Sequence, residues 1–300
     1  MIDIPDDFTQ LTARREGAPG REWLDTLPGL VDELLQRWSC TPVGTVMHGQ
    51  VGIVVPVQHP ALPPAVIKIS FPHPGNVHEP DAFTAWNGRG AVHLYERDDE
   101  HFAMLLERAG PGTLADVTDF DQAVTALGEL SRRLSVTAPA GLPRISDMVA
   151  DWECEILSAA AELENPLPGR VVDAALDTLR ELGPDQPDTL LHGDLHDANV
   201  LTGGREPLLA IDPKGYVGEP AYDSLTVIRS RRFAPLLFAA DSDAGLLRGL
   251  DLYCEAADLD RDRARRWAQV RAVRSALWGR RYGDPDWIIQ STDHLAAIFA

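Results

Sequence analysis

Apolar positions in the opening part of the chain recur at helical spacing. Trp23, Leu24, Leu27, Leu30, Val31, Leu34, Leu35 and Trp38 form one stripe within Pro19–Trp38, as residues three and four apart share a helix face. Pro28-Gly29 falls inside the stripe and predicts an interruption there. The texture changes from Cys40 to Ser70. "VGTVMHGQVGIVVPV" and "PAVIKIS" are β-branched runs broken by Gly and Pro, which predict hairpin strands. Glu79 to Asn87 reads as a short helix. "AVHLYERDDEHFAMLLE" reads as two strands around an acidic turn at Asp98-Asp99.

Beyond the Gly/Pro-rich "ERAGPGTL" the pattern is mostly helical. Val124, Leu127, Leu130 and Leu134 mark a helix over Phe120–Leu134, and Met148–Leu163 and Val171–Leu182 follow. Amphipathic segments continue from Tyr222 to Phe299. Thr189 to Tyr216 is the exception, where "TLL", "NVLTG" and "LLAID" read as short strands around loops. The expected organisation is a strand-rich N-terminal lobe with a preceding helical segment over 1–106, a hinge at 107–112 and a helical C-terminal lobe over 113–300. The fold class is α+β.

Composition narrows the function classes. A formal net charge of −19 would repel nucleic-acid phosphates and attract small cations, although acidity can also serve solubility alone. The apolar run "FAPLLFAA", Phe233–Ala240, is too short to span a bilayer. The acidic start "MIDIPDDFTQ" has no signal-peptide pattern. Cys40, Cys154 and Cys254 are scattered and odd in number, which suggests a reducing cytoplasm. Lys68 and Lys214 are the two lysines among 27 basic residues. In a chain that otherwise uses arginine, each asks for a chemical reason.

The densest chemistry lies in "TLLHGDLHDANVL", Thr189 to Leu201. His192, Asp194 and Asn199 follow the order and spacing of a kinase catalytic loop, H-x-D-x4-N, with Gly193 in the usual Arg position. A carboxylate at Asp194 can orient a hydroxyl and accept its proton. A neutral amide oxygen at Asn199 can meet Mg²⁺ without adding another full charge beside phosphates. Asp212 ends "PLLAID", and Pro213 predicts an extended backbone for it. Together Asn199 and Asp212 suit a metal that takes few protein oxygens. In "AVIKIS", Lys68 shares a strand face with Val66 and needs a partner or a ligand. Glu79, eleven residues on, could hold its ammonium. Gly44, Gly49 and Gly52 stand one hairpin earlier, where a phosphate-covering loop would be expected, but their spacing is not G-x-G-x-x-G.

These residues resemble the protein-kinase-like superfamily and, within it, the aminoglycoside phosphotransferases. "LLHGDLHDANVL", "AIDPKGYVGEPAYD" and "AFTAWNGRGAVHLYERDDEHFAMLLERAGPGTL" are similar to the branch of streptomycin 6-kinases and hydroxyurea phosphotransferases, over about residues 41 to 230. The resemblance implies a two-lobed protein-kinase-like fold with ATP in the cleft between lobes. It implies Asp194 as catalytic base, Asn199 and Asp212 as Mg²⁺ ligands, Lys68 on the nucleotide phosphates and Glu79 positioning Lys68. The backbone from Glu107 to Ala109 would meet adenine. Asp212-Pro213-Lys214 replaces the kinase D-F-G, and an A-P-E segment is missing, which argues against protein substrates.

Other readings compete. His192 and His196 form H-x3-H, a possible zinc pair, but Gly193 lies between them and the Glu of the zinc motif is absent. "GTVMHGQV" fails as a Walker A motif, since Gln50 and Val51 replace Lys and Ser/Thr. Asp223 suits a cap or a structural acceptor. Lys214 could pair with a carboxylate or touch phosphate. The expected function is ATP- and Mg²⁺-dependent phosphorylation of a small, cationic, streptomycin-like aminoglycoside. Hydroxyurea or another metabolite is the alternative acceptor, and a nucleotide-binding pseudokinase scaffold is a reading of another class. Asp197 and Glu219 are candidate carboxylates for a cationic substrate.

Overall fold

The computed structural model describes residues 2–163, 167–228 and 242–300, so the run Phe233–Ala240 lies outside the described residues. Contacts divide the chain into two compact units, Met1–Gly110 and Pro111–Ala300. No helix among the described residues is long and apolar enough to cross a membrane.

The N-terminal unit opens with helix α1, Asp6–Arg37, which starts well before Pro19. Its break is at Gly17, whose φ of 66° is left-handed, and the helix runs on through Pro28. The expected interruption at Pro28-Gly29 is therefore absent. An internal proline costs about 3 kcal/mol. Leu27, Val31 and Leu34, all 0% exposed, flank Pro28 on the buried face. At about 1.5–3 kcal/mol for each buried side chain, packing outweighs the lost backbone bond.

Strands β1 (Thr41–Pro42), β2 (Met47–His48), β3 (Gly52–Gln58) and β4 (Ala65–Ser70) follow. Helix α2 spans Glu79–Trp86, and β5 (Leu94–Asp98) and β6 (Ala103–Glu107) complete an antiparallel sheet. Its order is β1-β3-β4-β6-β5, with β2 also paired to β3. Alternation decides the faces. Ile53, Val55, Val57, Ala65, Ile67, Ile69, Ala103 and Leu105 cluster with Phe8, Leu27, Val31 and Leu34 of α1. Lys68, opposite Val54 and Met104 in the central strand β4, therefore lies on the face away from α1.

The C-terminal unit contains α3 (Phe120–Leu134), α4 (Ile145–Glu162), α5 (Gly169–Leu182), α6 (Ser224–Ile228), α7 (Ser242–Ala257), α8 (Arg261–Tyr282) and α9 (Asp286–Ile298). Helix α8 is central, with Trp267, Val270, Val273 and Leu277 buried, and it packs on α4, α5, α6 and α9. Two small antiparallel ribbons stand among the helices. One pairs β7 (Leu190–Leu191) with β10 (Tyr216–Val217), the other β8 (Val200–Thr202) with β9 (Leu208–Ala210). Leu191 pairs with Tyr216, so residues 192–215 form one closed excursion. Asp194, Asn199 and Asp212 all lie within it.

Candidate active site

In the N-terminal unit, Lys68 Nζ donates to Glu79 Oε1 at 2.5 Å. The carboxylate sits in the first turn of α2 and its side chain is 1% exposed, against 14% for Lys68. A carboxylate this deeply buried demands a partner, and the ammonium supplies one. Glu107 ends β6, and its carboxylate accepts from His93 N at 3.0 Å. Ala109 makes no backbone hydrogen bond among the described residues, so its N–H and C=O remain open.

In the C-terminal unit, hydrogen bonds tie Asn199 to Asp194 and to Ile211, the neighbour of Asp212. Asn199 Nδ2 donates to Asp194 O at 3.0 Å, and Ile211 N donates to Asn199 O at 2.9 Å. His192 is buried, at 2% exposure. Its Nε2 lies 2.9 Å from Ile211 O, and Asp194 N donates to its Nδ1 at 3.3 Å. Both ring nitrogens are thus used by backbone, which suits the neutral Nε2–H tautomer. Burial pushes the His192 pKa down to about 4. The ring is therefore a strut between the Asp194 loop and the Asp212 strand end, and it is not a zinc ligand. No cluster of three or more His, Cys, Asp or Glu suited to a metal occurs among the described residues.

Gly193 carries a φ of 83°, and a Cβ there would lie 2.8 Å from Lys214 Cβ. The Arg position of the kinase motif must be glycine here on both counts. Gly193 N donates to Asp223 Oδ2 at 3.1 Å, and Arg271 Nη2 donates to Gly193 O at 3.2 Å. Arg271 Nη1 also lies 3.7 Å from Asp223 Oδ1. The pair grips Gly193, the residue before Asp194, by its N–H on one side and its C=O on the other. Arg271 on α8 had no signal in the sequence, and Asp223 had only that of a structural acceptor.

Asp212 departs from expectation. Its φ of 61° is left-handed, whereas the following proline predicted an extended backbone. The bonds from Ile211 N to Asn199 O and from Lys214 N to His192 O bracket the residue and over-determine its geometry. Lys214 Nζ lies 3.4 Å from Asp212 Oδ2, so this lysine pairs with the carboxylate two residues away. Asp194 is 28% exposed and its Oδ2 lies 3.9 Å from His196 Nε2.

Two expected substrate carboxylates are not free. Glu219 accepts from Arg263 Nη2 and from Trp267 Nε1, each at 2.8 Å. Asp197 is buried, at 3% exposure. Tertiary packing has used both.

The donor set fits Mg²⁺. Asn199 and Asp212 offer hard oxygens, both residues are partly exposed, and the Asn199 amide nitrogen is occupied by Asp194 O, which leaves the amide oxygen as its remaining polar atom.

Burial also raises the Asp223 carboxyl pKa to about 6, against the pull of Arg271. An acid whose pKa is raised on folding binds more protons in the folded state. Its contribution is fully present at low pH and is lost as pH rises through the folded value. His192, with a depressed pKa, has the opposite sign: its contribution is lost as pH falls from 6.5 towards about 4. Asp223→Asn should therefore fare better relative to wild type near neutrality than near pH 4, by on the order of 2–3 kcal/mol. Urea unfolding at both pH values measures this, and a difference independent of pH would contradict the burial argument.

The aminoglycoside/hydroxyurea antibiotic resistance kinase family matches residues 37–283. A streptomycin 6-kinase of Streptomyces glaucescens is 36% identical over 280 residues, covering 93% of this chain and 91% of that protein. A hydroxyurea phosphotransferase of Kitasatospora aureofaciens is 36% identical over 282 residues, covering 93% and 80%. The crystal structure of aminoglycoside phosphotransferase APH(4)-Ia matches with a TM-score of 0.60 at 13% identity, covering 91% of this chain and 98% of that one. That likeness is one of fold, and the fold is the protein-kinase-like α+β fold. The chain belongs to the aminoglycoside/hydroxyurea antibiotic resistance kinase family.

Proposed function

We infer that this chain transfers the γ-phosphoryl group of ATP to a hydroxyl of a small molecule, with a streptomycin-like aminoglycoside as acceptor. The observation that carries the reading is the hydrogen-bonded pair Asp194 and Asn199, tied by buried His192 to Ile211, the residue before Asp212. The Asp194 carboxylate would orient the acceptor hydroxyl and take its proton. Lys68, held by Glu79, would meet nucleotide phosphate oxygens, and the open peptide groups of Ala109 would meet the edge of adenine. Asn199 and Asp212 would hold Mg²⁺, which neutralises phosphate charge when bound. Catalysis then rests on positioning and charge neutralisation.

A complete set of this kind favours an enzyme over a nucleotide-binding scaffold. Hydroxyurea is the second acceptor to consider, because the hydroxyurea phosphotransferase is as similar, at 36% identity, as the streptomycin 6-kinase. Three free thiols, Cys40, Cys154 and Cys254, support a cytoplasmic setting. ADP release by the purified chain with ATP and Mg²⁺ is the test. Streptomycin should stimulate it and EDTA should abolish it. Stimulation by hydroxyurea alone would move the assignment to the second acceptor, and no stimulation by either would overturn the reading.

A further inference from the structure

The start of α1 reaches the turn between β2 and β3, over residues 49–52, where the glycines suggested a phosphate-covering loop. The sheet holds this turn weakly. Strand β2 pairs with β3 at two positions, Met47 with Val54 and His48 with Ile53, and has no second neighbour among the described residues. A ribbon that short is marginal alone. Contacts from outside it must therefore fix the turn.

Three successive turn carbonyls find donors. Gly49 O lies 3.0 Å from His48 Nδ1, Gln50 O accepts from Arg15 Nη1 at 2.5 Å, and Val51 O accepts from Phe71 N at 2.7 Å. The His48 ring is held in turn by α1, with its Nε2 3.0 Å from Asp7 Oδ2 and its centroid 5.5 Å from that of Phe8. Gly49 O and Asp7 Oδ2 can only accept, so both ring nitrogens donate. Phe8 also meets Trp23, and Trp23 meets Phe71 edge-on at 5.6 Å. One aromatic run thus joins α1, the turn and the end of β4.

The N–H groups of Gln50 and Val51, by contrast, have no partner among the described residues. Successive N–H groups with their carbonyls already engaged suit an anion. The turn also stands close to Lys68. Val54 is opposite Lys68 in the sheet and Gly52 is opposite Ser70. A Cβ on Gly52 would lie 2.6 Å from Ile69 O, so glycine lets the turn rest on β4.

We propose that Asp7 and Arg15 of α1 are positioning residues, which hold the β2–β3 turn so that the N–H groups of Gln50 and Val51 meet nucleotide phosphate oxygens. The proposal rests on the phosphotransferase reading and extends it to residues ahead of the segment 37–283 that the family matches.

The test is calorimetric titration of a non-hydrolysable ATP analogue with Mg²⁺ into the full chain, without acceptor. Arg15→Ala should weaken binding by about fivefold, and Arg15→Lys should recover part of the loss. Asp7→Asn should weaken it by about threefold. Net charge alone predicts the opposite sign for Asp7→Asn, since removal of a negative charge favours a polyphosphate. In turnover, KM for ATP should rise in step while KM for the acceptor does not. Circular dichroism melting verifies that each variant is folded. Binding by Arg15→Ala within about twofold of wild type, or tighter binding by Asp7→Asn, would overturn the proposal. Weakened nucleotide binding in both variants without ADP release from either acceptor would instead overturn the functional reading and leave the role of α1 standing.

Discussion

Asp194→Asn should lower turnover by at least about a hundredfold while nucleotide binding stays near wild type. The substitution is nearly isosteric, so the bond from Asn199 Nδ2 to the backbone oxygen of residue 194 and the bond from its N–H to His192 are both retained. What disappears is the negative charge proposed to accept the hydroxyl proton. General-base help is worth on the order of 10²–10⁴ in rate. The comparison to make is kcat by ADP release beside the Kd of a non-hydrolysable ATP analogue. Near-normal kcat would remove Asp194 from the role of base. A parallel loss of nucleotide affinity would mean that the loop, and not the proton transfer, had been damaged.

Asp212→Gly separates activity from stability. Asparagine at 199 alone is a poor Mg²⁺ site, so removal of the Asp212 carboxylate should abolish Mg²⁺-dependent phosphoryl transfer, a loss of about a thousandfold or more. Yet Asp212 occupies a left-handed φ of 61°, which costs a non-glycine residue about 1 kcal/mol or more. Glycine enters that region without penalty. Loss of the partly exposed pair with Lys214, at 3.4 Å, costs little. The variant should therefore be as stable as wild type or more stable by about 1 kcal/mol, while inactive. Chemical denaturation and ADP release on the same preparation decide this. A destabilised, active variant would show that Asp212 is a structural residue and not a metal ligand.

What could be read from the sequence is what short stretches of chain determine. The stripe Leu27, Val31, Leu34 and the alternation Ile67, Lys68, Ile69 declare helix and strand because neighbours three, four or two residues apart share a face. Asp194 and Asn199 lie in one loop, so chain geometry alone limits their separation, and the motif spacing could be read directly. The pairing of Lys68 with Glu79 was legible for a similar reason: an ammonium in a central strand needs a counter-charge, and α2 begins soon after β4.

The tertiary structure decided the rest, because burial and long-range contact choose among locally equivalent options. Locally, Pro28 is the stronger helix breaker, yet packing on the sheet carries α1 through it and the chain breaks at Gly17. The proline after Asp212 favours extended backbone, but the hydrogen bonds on either side hold it left-handed. In the sequence Glu219 reads as a free acid of the C-terminal region. Only the fold shows that Arg263 and Trp267 engage it. Arg271 reaches Gly193 across 78 residues, a distance over which no local pattern carries information.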